Sequence, residues 1–138
     1  MKESSNFEKM KEIFSRAAFV QDLGIEIVEA ESGICRTRLK ILPKHLQQTQ
    51  VVHAGVVATL ADHTAGGAAT SLLKDGEFIL TAEFKISLFR AATGNALTCV
   101  AKVLKPGKTL SFVESEVYSG DKSEVLVAKA MVTLAVLR

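Results

Sequence analysis

Residues 54–73, AGVVATLADHTAGGAATSLL, constrain the fold of this chain more than any other segment. They are apolar or small except for the adjacent pair Asp62 and His63. A helix of this length could span a bilayer, but a carboxylate near its middle is costly in lipid, and alanine, glycine and threonine gain little there. We therefore predict a helix over residues 53–74 that is buried in protein. Its lone carboxylate then needs either a partner or a function, because burying an unpaired charge is unfavourable.

The segments on either side of this helix have different periodicities. Apolar residues at helical spacing, separated by lysine and glutamate, predict a short amphipathic helix within residues 1–22. Alternating patterns predict two strands between residues 25 and 41. Four longer strands joined by short turns follow residue 77 and are predicted to form an antiparallel meander. The predicted fold class is α+β, with a long central helix wrapped by a curved antiparallel sheet.

The length and charge of the chain narrow its organisation and its partners. With 138 residues, we predict one domain spanning residues 1–138. A formal net charge of +2 provides no broad basic field, so neither nucleic acid nor a membrane surface is an expected partner. The first residues, MKESSNFEKMKEIF, contain no hydrophobic leader, and a cytoplasmic location is the default expectation.

Cysteine and histidine spacing argues against a metal site. Cys35 and Cys99 are isolated from each other, and the three histidines have no ligand spacing, so we predict no bound metal and no cofactor.

The central helix also predicts self-association. A helix that is apolar on every face must be surrounded, and a single sheet can cover only one side of it. The same surface of a second chain is the simplest cover for the other side, and the small residues around Gly66 and Gly67 would allow close approach. We therefore predict a homo-oligomer.

The start of the helix and its aspartate could perform chemistry together. The backbone N–H groups of Ala54 and Gly55 lie in the first turn, where they lack intrahelical partners and suit a developing oxyanion. Asp62 lies about 12 Å further along the axis and roughly 80° around it. The two groups cannot reach one carbonyl centre from the same helix, so cooperation between them requires two chains with facing helices.

The sequence also resembles a known family. HAGVVATLAD (53–62), TAEFKISLFRAA (81–92) and GKTLSFVESEVY (107–118) look like segments of the hotdog-fold acyl-CoA thioesterases of the phenylacetate-pathway PaaI type. The resemblance implies hydrolysis of an acyl-CoA by a dimer or a dimer of dimers. It implies that the N–H of Ala54 polarises the thioester carbonyl while Asp62 of the partner chain acts as general base or nucleophile.

Further site residues follow from the same resemblance. Thr81 occupies the position of a serine or threonine that supports the carboxylate. Gln47 occupies the position of an asparagine near the attacked carbonyl. Ala54 replaces the first glycine of a His-Gly-Gly motif, which retains the backbone donor but narrows the pocket.

Three more residues are candidates for substrate contact. His53 either shapes the helix start or touches the substrate. Arg90 and Lys108 either bind the phosphates of coenzyme A or belong to a solvated surface.

Two other functions remain open at this stage. A hotdog hydratase or dehydratase would need a histidine-plus-acid motif, which His53 and His63 do not provide. A non-catalytic acyl-CoA sensor would use the same fold without turnover.

Overall fold

The structure is a computed structural model that describes residues 2–138, with side chains from residue 6 onward. A 3₁₀ turn (Pro43–His45) precedes the central helix. In chain order the helices and strands are α1 (Lys2–Ser15), α2 (Ala18–Leu23), β1 (Ile25–Glu31), β2 (Ile34–Lys40), α3 (Ala54–Thr70), β3 (Phe78–Leu88), β4 (Ala96–Lys105), β5 (Leu110–Ser119) and β6 (Val125–Leu137). The predicted α+β class, with a long helix on a curved antiparallel sheet, is confirmed.

The six strands form one sheet in the order β1-β2-β4-β5-β6-β3. The predicted meander holds for β4, β5 and β6, but its first member is wrong, because β3 pairs with β6 at the edge and β4 pairs with β2. Burial explains this order. Ala96, Leu97, Cys99 and Ala101 of β4 are buried, so β4 needs neighbours on both sides, whereas every residue of β3 is at least partly exposed. Residues 89–95 connect the two strands across the sheet.

A bulge in β3 changes which side chains face the helix. The pairing with β6 shifts register between Thr81 and Glu83. Thr81 is paired with Leu134, which lies in the core. Phe84, beyond the bulge, is paired with Val132, also in the core. Directly paired residues share a face of the sheet, so Thr81 and Phe84 both face α3. Without the bulge, strict alternation along the strand would have placed these two residues on opposite faces of the sheet.

The predicted N-terminal helix is two helices. Its first residue, Met1, lies outside the described residues. The helical path breaks at Ala17, which has an extended backbone (φ −88°, ψ 92°). Phe14 and Val20 are both buried, yet in a continuous helix their six-residue separation would point them about 120° apart around the axis. The break lets both side chains reach the core.

The central helix α3 is shorter than the predicted range of 53–74. His53 is its N-cap, and the helical path ends at Thr70. Beyond that point the Ser71 hydroxyl donates to the carbonyl of Ala68 and accepts the N–H of Gly33, which lies in the β1–β2 turn. These hydrogen bonds of Ser71 connect the end of α3 to the sheet. The apolar sequence continues to Leu73 and therefore could not indicate that the helix ends at Thr70.

The sheet covers one side of α3 only. Leu60, Ala61, Ala65 and Ala68 are fully buried against it. On the opposite side lie small or polar residues that stay partly or fully exposed: Gly55, Thr59, Asp62 and Gly66. We call these four residues the open face of α3.

Gly67 has a role within the chain rather than between chains. A Cβ added there would lie 2.8 Å from Sγ of Cys35 and 3.3 Å from the ring of Phe14. Glycine at this position therefore lets α3 approach β2 and α1, whereas only Gly66 of the predicted pair belongs to the open face.

The apolar helix does not qualify as a membrane span. Across residues 2–138, no helix combines the length and the hydropathy that crossing a bilayer requires.

Candidate active site

The helix start presents a single open backbone donor. Nδ1 of His53 accepts the N–H of Gly55 at 2.8 Å, and the His53 carbonyl accepts the N–H of Val56 at 2.9 Å. Among the described residues, no hydrogen bond uses the N–H of Ala54. Of the two donors predicted from the sequence, Gly55 is thus occupied by the N-cap and Ala54 remains available at the exposed helix end, where the dipole favours negative charge.

The loop before the helix is held in place by two backbone hydrogen bonds. The N–H of Val52 donates to the carbonyl of Ala92, and the N–H of His53 donates to the carbonyl of His45. His45 is fully buried, its Nδ1 accepts the N–H of Leu42, and its Nε2 lies 2.8 Å from the carbonyl of Leu23. Its anchoring contacts involve residues up to 22 positions away, which no local pattern could reveal.

Asp62 lies on the open face of α3 beside the edge strand. The hydroxyl of Thr81 donates to Oδ1 of Asp62 at 2.8 Å. Partial burial raises the pKa of Asp62 above its ordinary value, and the hydrogen bond from Thr81 opposes that rise. A carboxylate with a raised pKa and one fixed donor is a better proton acceptor than a fully solvated one.

A cleft of about 430 Å³ opens at the N-terminal end of α3. Among its lining residues are four of the predicted site residues: Gln47, His53, Ala54 and Arg90. Leu88, Phe89 and Val127 form an apolar wall on one side of the cleft. Arg90 lies at this cleft with its guanidinium bonded to the carbonyl of Leu126 at 2.7 Å. The cleft therefore combines an open N–H, a cation and an apolar wall.

The remaining predicted site residues lie elsewhere in the same chain. Asp62 and Thr81 do not line this cleft, because eight positions of helix separate Asp62 from Ala54. Lys108 lines a second cavity of about 260 Å³ at the opposite end of α3, together with Glu77 and Arg138. One chain thus separates the open donor from the carboxylate.

His63 is part of the packing between α1 and α3. Its ring centroid lies 4.1 Å from that of Phe14, and its Nε2 is buried without a partner in the described part of the chain. Burial lowers the pKa of His63 to about 4.

This burial predicts a pH-dependent stability. The unfolded imidazole takes up a proton as the pH falls below about 6.5, whereas the folded one does so only near pH 4. The free energy of unfolding should therefore fall across this window by about 2–3 kcal/mol. Urea unfolding at about pH 7.5 and about pH 4.5 measures it. His63→Leu is the control because the variant keeps every other titrating group. An equal pH dependence in both proteins would contradict the prediction.

Comparison with known proteins identifies the family. Residues 49–126 match the thioesterase superfamily. A crystal structure of a thioesterase family protein from Silicibacter pomeroyi superposes with a TM-score of 0.91 at 30% identity, covering 96% of this chain and 98% of that one. A 1,4-dihydroxy-2-naphthoyl-CoA hydrolase from Listeria monocytogenes is 27% identical over 116 residues, which cover 84% of this chain and 93% of the relative.

A third comparison concerns the fold alone. The PaaI protein of Escherichia coli, from the phenylacetic acid degradation operon, superposes with a TM-score of 0.89 at 19% identity, covering 100% of this chain and 97% of that one. The predicted resemblance to hotdog thioesterases is confirmed by these findings together. The chain belongs to the thioesterase superfamily and is a thioester hydrolase with a hotdog fold.

Proposed function

We propose that this protein hydrolyses acyl-CoA thioesters to a free acid and coenzyme A, using Asp62 of one chain and the N–H of Ala54 of another. The observation that carries the proposal is the position of Asp62. It is a partly buried carboxylate, held by Thr81, on a helix face that its own sheet leaves uncovered. The hydrolase from Listeria monocytogenes, whose name specifies an acyl-CoA substrate, supports the choice of thioester.

Two-fold symmetry can bring the two groups together. Ala54 and Asp62 each lie four positions from Ala58. Two α3 helices that pack antiparallel with Ala58 on the symmetry axis therefore place Ala54 of each protomer opposite the partner's Asp62. The small residues of the open face permit this approach, and β3 offers an unpaired edge beside it. Each dimer would then contain two equivalent sites.

The proposed reaction follows from this arrangement. The N–H of Ala54 donates to the thioester carbonyl oxygen, and this bond strengthens as negative charge develops there. The partner's Asp62 accepts a proton from a water molecule while the water oxygen attacks the carbonyl carbon. Collapse of the tetrahedral intermediate breaks the C–S bond, and the departing thiolate takes up a proton to become the thiol of coenzyme A. No cofactor takes part.

The cleft would hold the rest of the substrate. Its apolar wall suits the acyl group or the pantetheine arm, and Gln47 and His53 flank the open donor. Arg90 supplies a cation for a phosphate. Lys108 is too distant to act in the same cleft of its own chain, so its contribution to coenzyme A binding would have to be made across the interface.

Release of free thiol from a panel of acyl-CoAs tests the function. The panel should include short, medium, long and aromatic acyl groups, and direct binding of coenzyme A should be measured alongside. We expect turnover of at least one class. A protein that binds coenzyme A but is inert on the whole panel would be a silent binder, and the proposed function would be wrong.

Thr81 should tune the carboxylate. Thr81→Val removes the hydrogen bond that favours ionised Asp62, so the pKa of Asp62 should rise further above its ordinary value. A general base must be deprotonated, and the acid limb of the kcat/KM profile should therefore move to higher pH. The decrease in kcat/KM caused by Thr81→Val should therefore be larger at about pH 5 than at about pH 8. Thr81→Ser keeps the hydroxyl and should keep the profile. An unmoved acid limb in Thr81→Val would remove this role from Thr81.

The outer face of the sheet supports a second contact between dimers. Large apolar side chains lie exposed at one end of that face: Phe78, Leu80, Leu110, Phe112 and Met131. Such a patch is typical of an interaction surface. Because the proposed dimer uses the opposite side of the sheet, we propose a dimer of dimers joined through this patch. Sedimentation equilibrium should give a mass near four times 14.8 kDa. A mass near twice 14.8 kDa would limit the assembly to a dimer.

A further inference from the structure

The side of α3 that faces the sheet is lined mainly by small residues. Ala61, Ala65 and Ala68 are fully buried there, and Gly67 lies beside them. Larger side chains would form ridges that lock a helix into the grooves of its neighbour. Among the buried residues of α3, only Val57 and Leu60 are large and apolar, and both precede Asp62. Beyond them, methyl groups and glycine provide little such relief, so the rotation of this part of the helix about its axis needs a further determinant.

Directional hydrogen bonds provide that determinant. The hydroxyl of Ser115, on β5, donates to the carbonyl of Ala61 at 2.8 Å. On the neighbouring turn, Oγ1 of Thr64 donates to the carbonyl of Leu60 at 2.6 Å and lies 2.7 Å from Oγ1 of Thr37, on β2. Since Thr64 has one hydroxyl proton, Thr37 is the donor between them. Ser115 and Thr64 are fully buried, and Thr37 is almost so.

These bonds lie next to the candidate catalytic carboxylate. Ala61 precedes Asp62 directly, and Thr64 follows it by two positions. The bonds come from two different strands, β5 and β2, while Thr81 on β3 holds the carboxylate itself. A side-chain tip lies about 6 Å from the axis of its helix, so a rotation of roughly 10° would displace the carboxylate by about 1 Å. A displacement of that size can lower a rate about 100-fold.

We propose that Ser115 is a positioning residue, which sets the rotation of α3 and so aims Asp62 at the reacting carbonyl, with the Thr37–Thr64 pair as a second anchor. This inference rests on the proposed function. The carbonyl of Ala61 keeps its intrahelical hydrogen bond to the N–H of Ala65 without Ser115. Loss of the hydroxyl therefore leaves no unsatisfied backbone group, and its effect should fall on catalysis more than on folding.

Ser115→Ala tests the inference, with Ser111→Ala as the matched control. Ser111 is a nearly buried serine on the same strand that bonds to the N–H of Gly107 and makes no hydrogen bond to α3. We expect kcat of Ser115→Ala to fall between about 10-fold and 100-fold, with KM changed less than about twofold. The acid limb of the pH profile should move as in Thr81→Val, because a rotated helix weakens the Asp62–Thr81 bond.

A second variant keeps the test decisive if Ser115→Ala folds poorly. Thr37→Val preserves side-chain shape, leaves Thr64 bonded to Leu60, and should show the same split between kcat and KM. Equal kinetics in Ser115→Ala and Ser111→Ala would overturn the positioning role. That outcome is distinct from failure of the proposed function, which would appear as full activity in Asp62→Asn.

Discussion

Asp62→Asn should lower kcat for thioester hydrolysis by about 100-fold to 10,000-fold, the usual range for loss of a general base. Asparagine has nearly the shape of aspartate and can still accept the hydroxyl of Thr81, so the fold and the interface should survive. It cannot take a proton from water at neutral pH. Stopped-flow or steady-state thiol release measures kcat, and coenzyme A binding to the variant should stay within about threefold of wild type.

The matched control for this variant is Glu83→Gln. Glu83 is an exposed carboxylate on the same edge strand as Thr81, but it is paired with Thr133 on the outer face of the sheet. Neutralising it removes one charge without touching α3, and its kcat should equal that of wild type. If Asp62→Asn retains more than a tenth of the wild-type rate, or if Glu83→Gln loses as much, the assignment of Asp62 is wrong.

Ala54→Pro should lower kcat by about 100-fold to 1,000-fold, the usual loss for one oxyanion donor. Proline removes the N–H while remaining compatible with the first position of a helix. His53 has ψ 136°, a conformation that a following proline favours, so the N-cap should be kept. Ala54→Gly retains the donor and is the control. A Pro variant with wild-type kcat would show that another group stabilises the oxyanion.

Combining the two defective chains tests whether the site is shared. Mixed dimers of Asp62→Asn and Ala54→Pro should contain one site with both defects and one intact site. Random mixing of equal amounts should therefore restore about a quarter of wild-type activity. The measurement is thiol release after the two chains are co-expressed with different affinity tags and exchanged. Sites built within one chain would recover nothing on mixing.

Part of the candidate site was predictable because its signals are local. A carboxylate within an apolar helix and small residues at a helix start are visible without a structure. The rise of an α-helix then places Asp62 about 12 Å along the axis from Ala54, so a site that uses both groups requires two chains. Thr81 and Gln47 were identified only through resemblance to a family. The structure places Thr81 on Asp62 and Gln47 in the cleft at the helix start.

Other contacts of the candidate site lie far apart in sequence. Ser115 and Ala61 are separated by 54 positions, and Thr37 and Thr64 by 27. Serine and threonine in alternating strands are common on either face, so nothing in the strand pattern marks these hydroxyls. The apolar wall of the cleft could not be placed from the sequence either. Phe89 lies in the connection after β3 and Val127 lies in β6, so they meet only in the folded chain.

The sequence by itself determined the secondary-structure elements. These are a long apolar helix that contains one carboxylate, Asp62, an amphipathic helical segment at the N-terminus, and six strand-forming segments. Periodicity and turn chemistry act between near neighbours in the chain, and they survive in any packing. Only the tertiary structure decided that β3 leaves the meander for the edge, that its bulge turns both Thr81 and Phe84 toward α3, and that the first helix breaks at Ala17. These three features depend on which surfaces, distant in the sequence, are buried against each other. Such contacts involve the whole chain, so no local segment determines them.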